Sequence, residues 1–481
     1  MRTDQPGGEP SPNDLAEKFV AHEQPGQSPT AMRESIDMAI LAPAKARLRV
    51  TPQPSAGVWP GLHDVSKAPV HAAIARQLTR AAVKKLPITL QFPDGTRWGA
   101  GGPLLQVVNP AAFFRRVGTE GLIGFGEAWM TGDITTGGWD ASRPAASLRP
   151  AELNAATDEL AAVLTVMAKR MSVLIPGSLQ KLRRAWQTRP PKEEENTLTG
   201  AKENIHRHYD LSNGLFQQFL DETMAYSSAW YEFGDDHAAD LEKAQLRKVD
   251  GILDLARVRP DTHILEIGSG WGGLAIRAAA DRGVRVTTLT LSEEQKALAD
   301  QRIAAAGLSH LIEVRLEDYR AHAATHVGKY DAVVSVEMIE AVGEKYWPDY
   351  FASIDRMLVP GGRFGLQAIT IAHDRLLETR NGYTWVHKYV FPGGILPSLK
   401  AIDDVLASDT SLRVQESRRL GLSYVPTLEQ WRHRFNADLP KVAELGFDDT
   451  FIRMWNFYLA YSQAGFAAEY LDNWQLGIGR P

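Results

Sequence analysis

The stretch that decides the fold of this chain is His263-Ile264-Leu265-Glu266-Ile267-Gly268-Ser269-Gly270-Trp271-Gly272-Gly273. Its first five residues are mostly apolar and predict a short buried strand. The glycines that follow allow backbone conformations with positive φ, and they let a ligand approach the main chain without interference from a Cβ atom. Because residues 274–280 then place apolar side chains at helical spacing, the stretch predicts a strand, a tight turn and a helix.

Strands and helices alternate along the chain beyond this turn. Apolar runs predict further strands at residues 284–290, 311–315, 330–336 and 363–371, and a helix at residues 293–306. Alternation of this kind is typical of βαβ units and of a largely parallel, doubly wound sheet. The predicted fold class is therefore α/β, with ligands bound beyond the carboxyl ends of the strands.

The glycine turn has three interpretations. The spacing of Gly268, Gly270 and Gly273 satisfies the GxGxxG pattern of dinucleotide sites, but such a site wants an acidic residue about 20 positions later, and residues 288–292 offer hydroxyl groups instead. Glu266 stands directly before the glycines, where a carboxylate can meet the ammonium group of S-adenosylmethionine, a group that NAD lacks. The pattern favours S-adenosylmethionine, while a NAD site and a purely structural turn stay open.

Two acidic residues, Glu317 and Asp318, come directly after the third predicted strand. At this position they would lie near the adenine end of the ligand, where a carboxylate can accept a hydrogen bond from the amino group. An ordinary solvated pair of carboxylates is an equal alternative.

The composition limits the classes of protein to which the chain can belong. Its 481 residues are 44% hydrophobic and 23% charged, as in globular proteins, and the length predicts two or three domains. A net charge of -5 argues against a nucleic-acid partner, and the absence of cysteine excludes disulfides and cysteine-ligated metals. We find neither a signal peptide nor an apolar run of about 18 residues, so we expect a cytoplasmic protein that is soluble or peripherally attached to a membrane.

Changes in composition divide the chain into three parts. Residues 1–35 are rich in Pro, Gly, Ser, Glu and Gln and predict a disordered tail. Residues 36–195 combine a helical pattern at 69–85 with a strand pattern at 87–92, and they predict a small α+β accessory domain that ends in a linker. Residues 196–481 hold the predicted doubly wound sheet.

One segment of the accessory part, residues 161–192, is basic and amphipathic, since it contains seven Lys and Arg residues and no acidic residue. Such a segment can lie in a membrane interface, with its basic side chains on lipid phosphates and its apolar side chains among acyl chains. An ordinary surface helix packed on its neighbours explains the same pattern, and both interpretations stay open.

Several motifs of the second half, taken together, resemble the cyclopropane-fatty-acyl-phospholipid synthase family. They fall in family order across about residues 204–475, which makes the set far more specific than any one motif. Besides the glycine turn they are His208-Tyr209-Asp210-Leu211-Ser212-Asn213, Met224-Ala225-Tyr226-Ser227-Ser228-Ala229-Trp230, Thr290-Leu291-Ser292-Glu293-Glu294-Gln295, Met338-Ile339-Glu340-Ala341-Val342-Gly343, Lys388-Tyr389-Val390-Phe391-Pro392-Gly393-Gly394 and Tyr424-Val425-Pro426-Thr427-Leu428.

The resemblance implies a class I methyltransferase with a Rossmann-like doubly wound sheet, an N-terminal α+β accessory domain, and a lid inserted over the acyl chain at residues 373–440. Its reaction would transfer a methyl group from S-adenosylmethionine to the cis double bond of an acyl chain in a membrane phospholipid, at the inner membrane face. The expected cofactor contacts are Tyr226, Ser227, Glu266, Gly268, Ser269, Gly270, Gly272, Thr290, Leu291, Ser292 and Gln295, with Glu317 and Asp318 at the adenine.

Family members also hold a bicarbonate ion, thought to act as the base, with a Cys, a Glu, a His and a Tyr. Matched by motif, these positions are Ser228, Glu340, Gln367 and Tyr424. Ser228 and Gln367 depart from the family pattern, and this puts bicarbonate binding and the identity of the product in doubt. Ser269 stands where the family often has Cys, at a position where the backbone does the binding.

Methyl transfer to an alkene leaves a carbocation, and aromatic faces in a dry pocket can stabilise it. Candidate rings are Tyr424, Trp455, Phe457, Tyr458 and Tyr461, each of which ordinary core packing explains equally well. Loss of a proton from the new methyl group then closes a cyclopropane, or, after a hydride shift, gives an exocyclic methylene that a separate reductase could convert to a methyl branch. We hypothesise that Glu340 orients the base and that Tyr424 hydrogen-bonds it.

Two other functions stay open: a methyltransferase of a soluble small molecule, and an inactive lipid- or cofactor-binding protein. Three histidines, His322, His326 and His373, have no metal-ligand spacing and are expected at the surface, so no metal is predicted. The oligomeric state, a homodimer included, is not determined by the sequence.

Overall fold

The computed structural model of the protein describes residues 68–140, 143–170, 212–232 and 234–481, together with Trp59 and Leu62. The expected tail, the linker before residue 195, the domain boundary there and most of the basic segment 161–192 lie outside the described residues.

The accessory part contains a four-stranded sheet and helices. The elements are α1 (Pro69–Val83), β1 (Thr89–Gln91), β2 (Arg97–Gly99), β3 (Leu104–Val107), α2 (Pro110–Glu120), α3 (Leu122–Met130), β4 (Ile134–Thr136) and α4 (Pro150–Lys169). The strand order is β2-β1-β3-β4, with β1 and β3 parallel and the other pairs antiparallel. The predicted helix at 69–85 and strand at 87–92 are confirmed, and the chain turns between β1 and β2 at Gly95, where φ is 81°.

The described residues from 212 onward, called the catalytic part because the resemblance places the methyltransferase domain there, begin with helices and continue as alternating strands and helices. Its elements are α5 (Asn213–Phe219), α6 (Leu241–Leu255), β5 (His263–Ile267), α7 (Gly273–Arg282), β6 (Arg285–Thr290), α8 (Glu293–Ala305), β7 (Ile312–Leu316), α9 (Tyr319–Thr325), β8 (Tyr330–Val336), α10 (Trp347–Met357), β9 (Leu358–Ile371), α11 (His373–Thr379), α12 (Trp385–Tyr389), α13 (Leu399–Asp409), β10 (Arg413–Arg419), α14 (Tyr424–Ala437), α15 (Leu439–Glu444), α16 (Asp449–Ala467) and β11 (Leu471–Gly479).

Seven of these strands form one sheet in the order β10-β11-β9-β8-β5-β6-β7. The strands from β7 to β9 are parallel, and β11 runs antiparallel to both of its neighbours, β9 and β10. Every predicted strand of this part is found, so the α/β doubly wound fold is confirmed. The carboxyl ends of β5, β6 and β8 therefore lie side by side, which is where a sheet of this type binds its ligand.

The accessory and catalytic parts share one apolar core. Helix α4 packs against α16, and buried side chains of both parts belong to a continuous cluster. The Trp129 indole donates a hydrogen bond to the Arg453 carbonyl at 3.0 Å. The Asp158 carboxylate on α4 accepts hydrogen bonds from Arg432 and, at 2.9 Å, from the ring of His433, both on α14. Polar and apolar contacts thus join the two parts.

Helix α12 is held against the accessory part. Lys388 Nζ and Tyr389 Oη donate hydrogen bonds to the buried Glu127 carboxylate of α3, at 2.6 Å and 2.8 Å. A Cβ atom on Gly126 would come within 2.4 Å of the Trp385 ring, so the two helices are in direct contact there. The accessory part therefore fixes the segment that precedes the Phe391-Pro392-Gly393-Gly394 loop.

The expected lid at residues 373–440 is wrong for residues 399–419. Helix α13 packs beside α10, and β10 is an edge strand of the main sheet, so this portion belongs to the sheet layer. Helix α13 is amphipathic and β10 is mostly charged, so neither segment differs in sequence from a lid, and the pairing of β10 with β11 is what assigns them to the sheet layer. Among the described helices, none is long and apolar enough to cross a membrane.

Candidate active site

The glycine turn between β5 and α7 has the backbone that its sequence predicts. Gly268, Gly270 and Gly272 have φ values of 95°, 49° and 83°. The backbone N–H groups of Gly268 and Ser269 donate to the Leu289 carbonyl at 3.0 Å and 2.9 Å, which ties the turn to β6. No atom lies within 4 Å of the position that a Cβ on Gly270 would take, so the main chain there faces open space. A ligand can reach the turn at this point.

Glu266, the last residue but one of β5, is buried under the turn. Thr288 Oγ1 donates a hydrogen bond to its carboxylate at 2.6 Å and lies 2.7 Å from the Ser269 hydroxyl. Burial raises the pKa of Glu266 to about 8. A carboxylate with so few partners is a good site for an ammonium group, because a nearby cation favours its charged form.

The end of β6 brings the expected ribose contacts together. Thr290 Oγ1 donates to Gln295 Oε1 at 2.9 Å, and both side chains are buried. The Ser292 hydroxyl accepts the Gln295 N–H at 3.1 Å and so begins α8, which leaves this serine in a capping role. Leu291, which lies between Thr290 and Ser292 in the chain, is half-buried.

Tyr226 and Ser227 lie in the loop before α6. The Tyr226 hydroxyl is 2.9 Å from the hydroxyl of Tyr458 on α16. Ser227 Oγ accepts a hydrogen bond from Lys248 Nζ, whose side chain is completely enclosed. Burial lowers the pKa of Lys248 to about 8, although the negative charges of the nearby Glu337 and of other carboxylates act to raise it. No role for Lys248 is predicted from the sequence.

The two acidic residues after β7 already have partners. Glu317 Oε2 lies 2.8 Å from His322 Nδ1, and both oxygens of Asp318 bind the Arg320 guanidinium at 2.8 Å and 2.7 Å. The expected adenine contact of these carboxylates stays a prediction. His322 is fully buried, with Nε2 at 2.7 Å from the Tyr330 hydroxyl, so the expectation of a surface histidine is wrong there. Its partners occupy both ring nitrogens.

A carboxylate that the sequence interpretation missed stands at the carboxyl end of β8. Glu337 Oε2 accepts a hydrogen bond from Tyr424 Oη at 2.6 Å. Glu337 Oε1 accepts one from Gln367 Nε2 at 2.8 Å, one from the Ser228 backbone N–H at 3.1 Å and one from Asn473 Nδ2. We call these five residues the Glu337 cluster. It joins β8, β9, β11, α14 and the loop before α6.

Glu340, three residues further on, has a different environment. Its Oε1 accepts the Ile369 backbone N–H at 2.6 Å, and its Oε2 is buried without a hydrogen-bond partner. Burial, together with the charge of Glu337, raises the pKa of Glu340 to about 8. Near neutral pH this group is therefore mostly a protonated acid, whose O–H can donate a hydrogen bond.

The sequence of this chain matches the family model described as mycolic acid cyclopropane synthetase over residues 196–476. The chain belongs to that family. It is 45% identical over 438 residues to a tuberculostearic acid methyltransferase of Mycobacterium tuberculosis, covering 88% of this chain and 96% of the relative. It is 33% identical over 380 residues to the cyclopropane-fatty-acyl-phospholipid synthase of Escherichia coli, covering 78% of this chain and 87% of the relative.

Solved structures of family members have the same fold as the catalytic part. The cyclopropane synthase MmaA2 from Mycobacterium tuberculosis superposes with a TM-score of 0.52 at 27% identity, covering 58% of this chain and 97% of that one. Mycolic acid cyclopropane synthase CmaA1, complexed with SAH and CTAB, gives 0.52 at 26% identity over 58% of this chain and 97% of that one. This chain is an S-adenosylmethionine-dependent C-methyltransferase with a Rossmann-like class I fold.

The residues of this family member fit S-adenosylmethionine. The open space at Gly270 admits a ligand to the backbone, and the buried Glu266 carboxylate suits an ammonium group. Thr290 and Gln295 present polar atoms at the adjoining strand end, where ribose hydroxyls can bind. When bound, the cofactor supplies an electrophilic methyl group on sulfur.

The residues matched to bicarbonate binding do not fit a free anion. The Ser228 hydroxyl donates to the Ala229 carbonyl at 2.9 Å, whereas Gln367 and Tyr424 both donate to Glu337. Of the four matched side chains, only Glu340 has a buried atom without a partner. The donors that would hold a bound anion are therefore directed at the carboxylate of Glu337 instead.

The candidate aromatic rings separate into two groups. Tyr424 and Tyr458 lie at the site, since they bind Glu337 and Tyr226 respectively. Trp455 adjoins the site, because its ring centroid lies 5.2 Å from that of Tyr458 and 6.4 Å from that of Phe216. The other two rings pack away from it, since Phe457 packs on Trp385 and Tyr461 is 39% exposed.

Proposed function

We propose that the protein transfers a methyl group from S-adenosylmethionine to the cis double bond of an unsaturated acyl chain in a phospholipid. The observation that carries this proposal is a continuous row of rings that leads away from the glycine turn. Trp271 of the turn lies 4.8 Å from Phe216, Phe216 lies 5.1 Å from Tyr226, and Tyr226 lies 5.2 Å from Trp431, measured between ring centroids. An apolar, aromatic wall beside the methyl donor suits an olefin and a cation.

The chain's contribution to the reaction is positioning and stabilisation. An alkene is a weak nucleophile, so the rate depends on holding it in line with the methyl group. The faces of Tyr226, Trp431 and Tyr424 can stabilise the resulting carbocation by cation–π attraction, on the order of 2 kcal/mol for each desolvated contact. The same apolar surroundings exclude water, which would otherwise trap the cation as an alcohol.

The proposed product is an exocyclic methylene acyl chain, which a separate reductase converts to a methyl branch. Support comes from the tuberculostearic acid methyltransferase, a relative with a methyl-branched product. It comes also from Ser228 and Gln367, at which the chain departs from the pattern of cyclopropane-forming family members. A cyclopropane is the other outcome of the same methyl transfer.

Incubation of the purified protein with labelled cofactor and oleoyl phospholipid vesicles tests this proposal. We expect an acyl product heavier by one CH₂ group, which takes up hydrogen under mild catalytic hydrogenation as a methylene does and a ring does not. Stearoyl phospholipid, which has no double bond, is the matched control and should remain unlabelled. Label on a soluble acceptor alone, or no transfer to any lipid, would contradict the proposal.

We further propose that the protein attaches peripherally to the inner, cytoplasmic face of an anionic membrane through helix α1. Val70, Ile74 and Leu78 are 67%, 52% and 56% exposed and form one row at i, i+4 spacing. A second exposed row at the same spacing, Arg76, Arg80 and Lys84, lies about 120° from the first around the helix, with Arg76 and Arg80 over the Trp98 ring. Residues 69–85 contain no acidic residue. An exposed apolar row beside a basic row is the pattern of helices that lie in the membrane interface.

Vesicle co-sedimentation tests the attachment. The variant Ile74→Glu should lose most binding to anionic vesicles, because a charge is placed in the middle of the apolar row. Val327→Glu is the matched control, since Val327 is 65% exposed in the catalytic part. Equal binding by both variants, or equal binding of the wild type to neutral and anionic vesicles, would contradict this role of α1.

A further inference from the structure

We propose that Glu337 is a catalytic residue: its carboxylate accepts the proton that the carbocation loses after methyl transfer, in place of a bound bicarbonate. The inference rests on the proposed function, because it concerns the second half of that reaction. Its basis is the Glu337 cluster, in which the side chains of Gln367 and Tyr424 donate to this carboxylate.

The cluster is constructed to hold a negative charge at one place. Two side-chain amides, one phenol and one backbone N–H converge on Glu337, and their residues Ser228, Gln367, Tyr424 and Asn473 are all buried. Burial and the charge of Glu337 raise the pKa of Tyr424 well above its ordinary value, so the phenol stays protonated and remains a donor. An ionised carboxylate is a good acceptor for so many donors, since charge-assisted hydrogen bonds are the strong ones.

The two carboxylate oxygens are unequally occupied. Oε1 accepts three hydrogen bonds, whereas Oε2 accepts only that of Tyr424. Oε1 is crowded by its three donors, whereas Oε2 has one donor for about two acceptor positions and so retains one for a proton. Oε2 lies 2.6 Å from the hydroxyl of Tyr424, whose ring is one of those proposed to stabilise the cation, so this oxygen is the one nearer to the proposed reaction.

The backbone at Glu337 supports the assignment. Its φ is 50°, in the left-handed region that residues other than glycine rarely adopt. This conformation is strained for a residue with a Cβ atom, and such strain is typically kept where a side chain must be aimed at a functional site. The N–H of Glu337 donates to the Gln367 carbonyl at 2.8 Å, which fixes the residue at the junction of β8 and β9.

Glu340 is unsuited to the same task. Its Oε1 is bound to the Ile369 N–H, and the group carries a proton near neutral pH. A protonated acid cannot accept a proton, so the two carboxyl groups have complementary states, with Glu337 as the acceptor and Glu340 as a neutral hydrogen-bond donor.

The reaction balances with Glu337 as the only base. The π electrons of the alkene form the new bond to the methyl carbon, while the electron pair of the broken carbon–sulfur bond stays on sulfur. A hydride shift moves the positive charge to the carbon that bears the methyl group. A C–H bond of that methyl then breaks, its electrons form the exocyclic C=C bond, and its proton goes to Glu337 Oε2. Without the hydride shift, the same C–H electrons close a cyclopropane ring.

The test compares turnover, cofactor affinity and rescue in Glu337 variants on oleoyl phospholipid vesicles. Glu337→Gln should lower kcat by about 100-fold or more, the usual contribution of a positioned base. Calorimetry should show unchanged affinity for S-adenosylmethionine. Glu337→Ala, which leaves space for a small anion, should regain activity with added formate or bicarbonate. The wild type should keep its rate in bicarbonate-depleted buffer. Glu313→Gln, an exposed change on β7, is the matched control and should behave as the wild type.

Three results would overturn the inference while leaving the proposed function intact: full turnover by Glu337→Gln, loss of wild-type activity on removing bicarbonate, or a Glu337→Ala variant that no anion rescues. The last of these would mean that Glu337 acts only in holding the cluster together. A wild type that methylates no phospholipid would instead overturn the proposed function and this inference with it.

Discussion

Replacing Glu340 with Gln tests the protonation state of the second carboxyl group in the site. Burial and the charge of Glu337 raise the pKa of Glu340 from an ordinary 4.5 to about 8. The folded protein thus keeps a proton on Glu340 over a range of pH in which the unfolded chain has released it. The contribution of this group to stability is complete below about pH 4.5 and is lost as the pH rises towards 8, because the folded state binds more protons than the unfolded state.

The size of the effect follows from the two pKa values. Each pH unit between them corresponds to about 1.4 kcal/mol, so full titration lowers the free energy of unfolding by at most about 5 kcal/mol. Glu340→Gln has no ionisable group at this position and should escape the loss. Titrating groups that do not interact with Glu340, Glu266 among them, are present in both proteins and cancel in the difference.

Urea unfolding of the ligand-free proteins at several pH values between about 5 and 8 measures this difference. We expect the variant to gain stability relative to the wild type by several kcal/mol over this range. Glu313→Gln, which changes an exposed carboxylate, should follow the wild type. If the difference between Glu340→Gln and the wild type stays constant with pH, Glu340 is ionised in the folded protein, and the contrast between the two carboxyl groups is refuted.

Three further substitutions probe the cofactor site and the lid. The added methyl of Gly270→Ala meets no neighbouring atom, but the φ of 49° at this position is unfavourable for alanine, so the variant should lose about 1 kcal/mol of stability in urea unfolding. Cofactor binding measured by calorimetry should also weaken, because the methyl enters the open space that the ligand uses. Lys248→Met removes a buried cation whose charge lowers the pKa of Glu266, so cofactor affinity near pH 7 should fall, and unchanged affinity would contradict this role. Gly126→Ala would place a methyl 2.4 Å from the Trp385 ring and displace α12. It should therefore destabilise the protein by about 1–3 kcal/mol and raise KM for phospholipid. An unaltered KM would show that α12 does not border the acyl chain.

The fold was predictable because its signals are local. The strands at residues 263–267 and 330–336 have the predicted bounds, since each is a short apolar run that polar residues or glycines terminate. The glycine turn was equally predictable, because positive φ at Gly268, Gly270 and Gly272 is a property of the residues themselves. The lid was harder to delimit, because β10 is an edge strand whose exposed, charged sequence resembles a loop.

The catalytic proposal was not predictable in the same way, because the partners of Glu337 come from distant parts of the chain. Gln367, Tyr424 and Asn473 follow it by 30, 87 and 136 residues, and only the sheet and α14 bring them together. A signal did exist, since Glu337 is a carboxylate directly after the β8 strand, but the family motif begins one residue later. Lys248 also left a signal, because it shares a helical face of α6 with buried apolar residues.

The shared core of the accessory and catalytic parts has a practical consequence for anyone who wishes to shorten the protein. Removing residues before about 212 would strip α16 of its packing against α4 and leave Arg432 enclosed without its acidic counterpart. A truncated enzyme would therefore expose apolar helix faces and aggregate. The intact chain should unfold in calorimetry as a single cooperative unit. The accessory part, which the sequence alone presents as a separate addition, is therefore a structural support of the catalytic fold.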